Sequence, residues 1–246
     1  GCTALKTIYY MEGTTGWTNP WASIETLALI QEEIYIISAP VDQMVLTNVN
    51  VSLEVSAFSL SDLSYQWYKN GTAIEGATAP VYFIESAQGE DSGSYSVTIS
   101  NEYTSVSREA TLDVITERTG DPDSDFQYSK SGGMVTINRY NGSKNEVVIP
   151  NIIEGCMVTN IRMSAFSNRY SITNVIIPDT VINIWQSAFS GCSELKSVKM
   201  SKRTTNIGDS AFLRCISLVD ITLPDSVTSV GNSAFQSCSS LTSAVI

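Results

Sequence analysis

Residues 177 to 200 read IPDTVINIWQSAFSGCSELKSVKM, and residues 223 to 246 read LPDSVTSVGNSAFQSCSSLTSAVI. The pair Ala-Phe in these stretches belongs to a series at 165–166, 188–189, 211–212 and 234–235, each 23 residues after the last. A constant period of this length marks a repeat architecture. The same register aligns Val158, Val181, Thr204 and Val227; Ile161, Ile184, Ile207 and Val230; Ile172, Leu195, Leu218 and Leu241; and Val175, Val198, Ile221 and Ala244. Each column is almost wholly apolar, so each is expected to face a shared core. Pro178, Ser201 and Pro224 form a further column, and a proline after an apolar strand has no N–H to donate and ends pairing there. A unit of one short strand, a turn and an apolar corner cannot bury its own apolar face, so stacked neighbours must bury it together. The expectation is a solenoid.

Working outward to the N-terminus, the opening GCTALKTI places Gly1, Cys2, Leu5 and Ile8 on Gly191, Cys192, Leu195 and Val198 of the repeat. The chain thus reads as beginning inside a repeat, as a segment of a longer protein does. The units resemble the BspA-like leucine-rich repeats of bacterial and some protist surface proteins, over residues 126 to 246. The stretch IYYMEGTTGWTNPW is similar to the tail that closes such arrays, so residues 1 to 37 read as the last half-repeat and closing tail of an upstream array. That resemblance implies binding of host matrix proteins or neighbouring cells.

Residues 38 to 116 alternate apolar and polar at period two in short runs such as VSLEVSA and SYSVTIS, the pattern of an antiparallel sandwich. Val51 to Val55, Trp67, and DSGSYSV ending at Val97 resemble the immunoglobulin-like fold. The resemblance makes Trp67 the buried strand tryptophan and Tyr95 the tyrosine corner, with Val55 and Val97 where many members carry a disulfide. The missing disulfide favours the bacterial variety of the fold. The whole reads as mainly β: a remnant repeat cap over 1 to 37, the sandwich over 38 to 116, an acidic linker over 117 to 125 and the repeat solenoid over 126 to 246.

The chemistry is defined partly by what is missing. There is no histidine among the 246 residues, which removes Ser-His-Asp and Cys-His catalysis and the commonest transition-metal ligand. The 14 Lys and Arg against 25 Asp and Glu give a net charge of −11, and binding a phosphate backbone needs a clustered basic face instead. No nucleic-acid partner is expected. The acidity is uneven: residues 38 to 116 hold Lys69 and Arg108 against ten Asp and Glu, whereas residues 121 to 246 hold ten of each sign. No run of 18 apolar residues is present, so no membrane insertion is expected from this segment.

Several candidate sites have plainer readings. Cys192, Cys215 and Cys238 form a column that reads as a ladder of buried, reduced thiols, with a bridge or a metal as the alternative. DPDSDF begins like a calcium loop, but Phe126 and Gly132 stand where the loop needs Gly and a bidentate acid, so a solvated acidic linker is expected. Glu90 and Asp91 are adjacent and cannot flank a scissile bond as a glycosidase pair must. No enzyme activity, cofactor or metal is expected.

The candidate binding face consists of the columns between the core positions: Thr173, Asn174 and Ile176; Lys196, Ser197 and Lys199; Val219, Asp220 and Thr222; then Thr242, Ser243 and Val245. These are expected to line one broad sheet. Trp185, where later units have Gly208 and Gly231, is a candidate interface anchor. The reading is a non-enzymatic, extracellular or cell-surface segment for adhesion or protein recognition, with extracellular proteins or neighbouring-cell surface molecules as partners. The alternative is a structural stalk in a secreted protein.

Overall fold

The computed structural model describes residues 7–11, 25–29 and 33–245, with side chains described from 33 to 242. Within these residues the secondary structure is β-strand with two single turns of 3-10 helix. The chain divides into two compact units, residues 1–116 and 117–246, and each has its own apolar cluster.

In the first unit Thr7–Met11 pairs in parallel with Glu25–Leu29. Gly1, Cys2 and Leu5, on which the opening half-repeat was aligned, lie outside the described residues. The sandwich follows. One sheet runs Gln43–Leu46, Ser105–Ile115, Gly93–Ser100, Ser64–Lys69 and Thr72–Ala73, while Val51–Glu54 pairs with Val81–Ile84 and Tyr35–Ser38 with Ser56–Phe58. Period-two alternation turns Tyr95, Val97 and Ile99 inward from one strand and Ala110, Leu112 and Val114 from its neighbour. Trp67 is fully buried among them, and its indole Nε1–H donates to the Ala79 carbonyl at 2.9 Å, which satisfies the one polar atom it carries inward. Val55 and Val97 are buried in the same cluster. The Tyr95 hydroxyl donates to the Asp91 carbonyl at 2.8 Å, making the tyrosine corner. Burial, then the neighbouring Tyr82 and Asp91, raises the Tyr95 hydroxyl pKa above its ordinary value. Glu90 and Asp91 sit in the Gly89–Asp91 turn, where the Asp91 carboxylate accepts from the Gln88 N–H at 2.8 Å.

The second unit opens with the antiparallel pair Phe126–Ser131 and Met134–Tyr140. Met134–Tyr140 then begins a parallel ladder through Cys156–Ile161, Asn183–Ile184, Asn206–Ile207 and Ser229–Val230. The partners of Ile161 along it are Ile184, Ile207 and Val230, so strand register and sequence period coincide. A second parallel ladder joins Glu146–Val148, Asn174–Ile176 and Ser197–Lys199 through Val147, Val175 and Val198. Between the two ladders the phenylalanines of the Ala-Phe pairs stack ring on ring: Phe166 to Phe189 at 4.8 Å, Phe189 to Phe212 at 5.2 Å and Phe212 to Phe235 at 5.3 Å. Each corner is also tied to the next by a bond from Phe N–H to the following alanine carbonyl, at 2.8 Å in all three cases.

The corners are tight because each unit uses two left-handed residues. Ser164, Ser187, Ser210 and Ser233 precede Ala-Phe with φ of 60, 56, 55 and 56°. Asn168, Gly191, Arg214 and Ser237, four residues further on, have φ of 57, 76, 58 and 61°. One expectation about the core fails at the end of the ladder. Val230 shares its column with buried isoleucines but is 46% exposed, because its strand pairs on one side only within the described residues.

Candidate binding face

The strand face that carries the outward columns is built by alternation. In Asn174–Ile176, Ser197–Lys199 and Asp220–Thr222 the middle residue is buried, and Ile176, Ser197, Lys199, Asp220 and Thr222 are exposed beside it. Lys196, Val219 and Thr242 are exposed at the approach to their strands. Thr173 and Asn174 are only half-buried positions, and they are partly occupied: the Asn145 carbonyl accepts from both their N–H groups and from the Thr173 hydroxyl. The side chains of Ser243 and Val245 lie outside the described residues.

The columns do not form one broad sheet. Glu146–Val148, Asn174–Ile176 and Ser197–Lys199 make a three-stranded sheet, and Asp220–Thr222 pairs with Ser243–Val245 in a separate two-stranded one. The break can be followed bond by bond. Ile149 N–H donates to the Ile176 carbonyl at 3.0 Å and Ile177 N–H to the Lys199 carbonyl at 2.9 Å, but the equivalent bond from Met200 N–H to the Thr222 carbonyl is not formed. What crosses the break is Val219 N–H to the Lys196 carbonyl at 3.3 Å, longer than the 2.7 Å and 2.9 Å of the equivalent bonds before and after it.

Two departures from the repeat fall at this point. In the second unit the Asp179 carboxylate accepts from the Lys202 N–H at 2.8 Å, binding the next turn down. The residue 23 positions after Asp179 is Lys202 itself, which has donors only, so the turn at Asp225 receives no such bond. Ser201, standing in the proline column, donates its hydroxyl to the Val181 carbonyl at 2.7 Å, and one unit later the Ser226 hydroxyl donates to the Thr204 carbonyl at the same distance. A cleft of about 380 Å³ lies over the third and fourth strands, lined by Val198 and Ile221 together with Lys199, Lys202, Asp220 and Thr222.

Trp185 is 41% exposed, but it follows Asn183–Ile184 in the other ladder and so stands apart from the columns it was grouped with. Its column is narrow one unit later, where a Cβ on Gly208 would lie 2.7 Å from the Trp185 carbonyl carbon. Cys192, Cys215 and Cys238 are buried, and each thiol lies 3.1 to 3.2 Å from the carbonyl of a ladder phenylalanine, Phe166, Phe189 and Phe212 in turn. Burial pushes the Cys192 thiol up to about 12, and the neighbouring Cys238 sulfur together with burial pushes Cys215 up as well. In the acidic stretch, Asp121 is buried where a solvated residue was expected. Its carboxylate accepts from the Val148 N–H at 2.9 Å and from Lys144 Nζ at 2.5 Å. Among the described residues no three His, Cys, Asp or Glu come together to hold a metal ion, and no helix is long and apolar enough to cross a membrane.

Residues 159–246 match the model of the BspA type leucine rich repeat region, in six copies, and residues 34–114 match that of the immunoglobulin I-set domain. The chain is therefore one that carries an immunoglobulin-like domain followed by BspA-type leucine-rich repeats. Both are generally non-enzymatic binding domains, which makes it a protein-interaction module. Among solved structures it is similar to a leucine rich repeat protein of T. pallidum (28% identity over 51% of this chain and 71% of that one, TM-score 0.45). It is also similar to a leucine-rich repeat protein from Bacteroides capillosus (29% identity, 51% of this chain and 96% of that one, TM-score 0.45). The M4 domain of titin is a third (24% identity, 33% and 95%, TM-score 0.31). No curated protein matches the sequence.

Proposed function

We propose that the chain is a non-enzymatic segment of a larger extracellular or cell-surface protein, in which a leucine-rich solenoid over residues 126 to 246 makes adhesive or protein-recognition contacts. The sandwich over 38 to 116 spaces that array from a second one, of which residues 1 to 37 are the closing remnant, and residues 117 to 125 lead from the sandwich into the solenoid. The observation that carries this reading is the row of exposed side chains held by buried strand centres: Ile176, Ser197, Lys199, Val219, Asp220 and Thr222. Solenoids bind through such repeated, rigid faces. Thr173, Asn174 and Lys196 border this face, and Trp185 offers a separate aromatic contact on the other ladder.

The test is a binding screen of the full chain against immobilised extracellular matrix proteins, alongside a variant carrying Ile176→Glu, Val219→Glu and Thr222→Lys. Saturable binding that the triple variant loses supports a recognition face. A chain that binds none of them saturably is a stalk, and the reading fails.

A further inference from the structure

The strand Val81–Ile84 lies at an open edge of the sandwich. Among the described residues it pairs only with Val51–Glu54, antiparallel, with Val51 opposite Ile84 and Glu54 opposite Val81. Just beyond that pairing the Val55 N–H donates to the Pro80 carbonyl at 3.0 Å. Bonded and non-bonded positions alternate along an antiparallel pair. Leu53–Tyr82 and Val51–Ile84 therefore exchange the bonds, and the N–H and C=O groups of Val81 and Phe83 turn to the outer side. No backbone group meets them there among the described residues. The segment leading into the strand runs instead along Ser64–Lys69, where the Ile74 N–H donates to the Trp67 carbonyl and the Trp67 N–H to the Ala77 carbonyl, both at 2.9 Å. Val81 and Phe83 are 43% and 56% exposed. Lysine, proline or a bulge usually protects such an edge, and Val81–Ile84 has none of them. It is a template for an added strand.

Charge specifies the occupant. Alternation puts Val81, Phe83 and Glu85 on the outward face, with Glu54 across from Val81. The strands of this face, residues 35–38, 51–58 and 81–85, hold Glu54 and Glu85 but no Lys or Arg. Lys69 and Arg108, the basic residues of 38 to 116, belong to the other sheet, against ten acidic residues in the same span. A second copy of this chain at the edge would set like charge against like, whereas a basic segment brings the opposite charge.

We infer that the Val81–Ile84 edge receives an extended basic segment of a partner protein as an added strand. Its main chain pairs with the amides of Val81 and Phe83. Its Lys or Arg side chains lie on the outward face, with their stems over the Phe83 ring and their charged heads towards Glu54 and Glu85. The alternate side chains turn inward beside Tyr82, which packs against the core. The inference goes beyond the recognition reading of the solenoid, since it gives the sandwich a contact of its own. Opposite charges at an exposed edge chiefly set encounter rate and partner choice, so binding should weaken as salt rises.

The experiment measures binding of the full chain to a fluorescent, N-acetylated octapeptide of alternating Lys and Val, with Gln/Val and Glu/Val octapeptides as comparisons. The Lys/Val peptide should bind saturably and the other two at least about tenfold more weakly. Glu54→Lys with Glu85→Lys should weaken the Lys/Val peptide about tenfold, while Glu109→Lys with Asp113→Lys, an equal charge change on the other sheet, leaves it unchanged. Main-chain pairing is read with two further Lys/Val peptides, one methylated on the Lys amides and one on the Val amides. An added strand turns one set of amides to the protein and the other to solvent, so one methylated peptide should lose binding and the other keep it. Equal retention or equal loss by both, equal binding of the Gln/Val peptide, or no saturable binding of the Lys/Val peptide overturns the proposal. So does a chain that sediments as a dimer and becomes monomeric on Phe83→Lys, which would assign the edge to a second copy. None of these outcomes bears on matrix-protein binding through Ile176, Val219 and Thr222, so the solenoid reading stands or falls separately.

Discussion

The two units bury comparable apolar residues by opposite strategies. In the sandwich, partners come from far along the chain: Gln43–Leu46 pairs with the end of Ser105–Ile115, and the Thr111 N–H donates to the Asp42 carboxylate 69 residues away. No position repeats, and one tryptophan stands at the centre. In the repeat unit the ladder partners are 23 residues apart, as with Asn160, Asn183 and Asn206, and the same apolar corner recurs. A core closed by non-local contacts is gained or lost as a whole, whereas the stability of a stack is a sum of unit and interface terms. One truncation should therefore unfold the sandwich but only loosen the stack locally.

The strongest way to break that contrast is Trp67→Ala. The side chain is fully buried and its N–H is bonded, so truncation should cost about 3 to 5 kcal/mol, a large share of a small domain's stability. In the full chain, hydrogen exchange should speed throughout Gly93–Ser100 and Ser105–Ile115 and stay unchanged at Ile161, Ile184 and Ile207. Retained protection in the sandwich would show that Trp67 is not its centre.

The matching experiment in the stack compares two phenylalanines of one column. Phe189 is fully buried between the rings of Phe166 and Phe212, and Phe189→Ala should also cost about 3 to 5 kcal/mol. Phe235 is partly buried and stacks on Phe212 alone among the described residues, so Phe235→Ala should cost less than about 2 kcal/mol. Thermal melts of the two variants, with exchange confined to their own and adjacent units, check both the size and the locality. Equal losses would mean that the stack unfolds as one body.

The contrast also sorts what the sequence discloses. The Ala-Phe period locates the ring stack and the buried strand centres Val175, Val198 and Ile221 without any structure, because every unit votes for the same face. Trp67 and Tyr95 are legible in the sandwich for a different reason, since a large aromatic amid period-two alternation has few places to go. Features that depend on a single neighbour are not legible. Val230 is a β-branched apolar residue like its buried column mates, and it is exposed because its strand pairs on one side only within the described residues. Asp121 reads as solvated because its partners Lys144 and Val148 lie 23 and 27 residues away. The left-handed serines before Ala-Phe give no warning, since Gly and Asn are the residues that usually signal that conformation. The break in the candidate face had a visible trace, Ser201 among prolines and Lys202 between Asp179 and Asp225. What Lys202 leaves out follows only once the Asp179 carboxylate is seen holding the next turn.

Close approach gives a smaller, sharper test. A Cβ on Gly208 would fall 2.5 Å from the Gln186 N and 2.7 Å from the Trp185 carbonyl carbon, both backbone atoms that cannot rotate away. Gly208→Ala should therefore cost about 1 to 3 kcal/mol through overpacking, read as a lower melting midpoint for the stack. A neutral result would show that the units can spread apart more easily than their bonded corners imply.

The smallest expected effect separates the two regions by sign. Arg214 is exposed and left-handed at φ 58°, in the column where the preceding unit has Gly191 at φ 76°. A left-handed non-glycine residue costs about 1 to 2 kcal/mol, and glycine adds about 0.5 to 1 kcal/mol of unfolded-state entropy. Arg214→Gly should thus stabilise the stack by about 0 to 1.5 kcal/mol. In the sandwich Asn70 is left-handed too, at φ 50°, but its side-chain oxygen accepts from the Ser94 N–H at 3.0 Å. Asn70→Gly relieves the backbone and forfeits a hydrogen bond of about 0.5 to 1.5 kcal/mol, so it should leave the sandwich unchanged or weaker. Chemical denaturation of the two variants reads both values. A stabilised Asn70→Gly, or a destabilised Arg214→Gly, would mean that left-handed positions are no more interchangeable in the repeat than in the sandwich, against the view that one column can stand in for another.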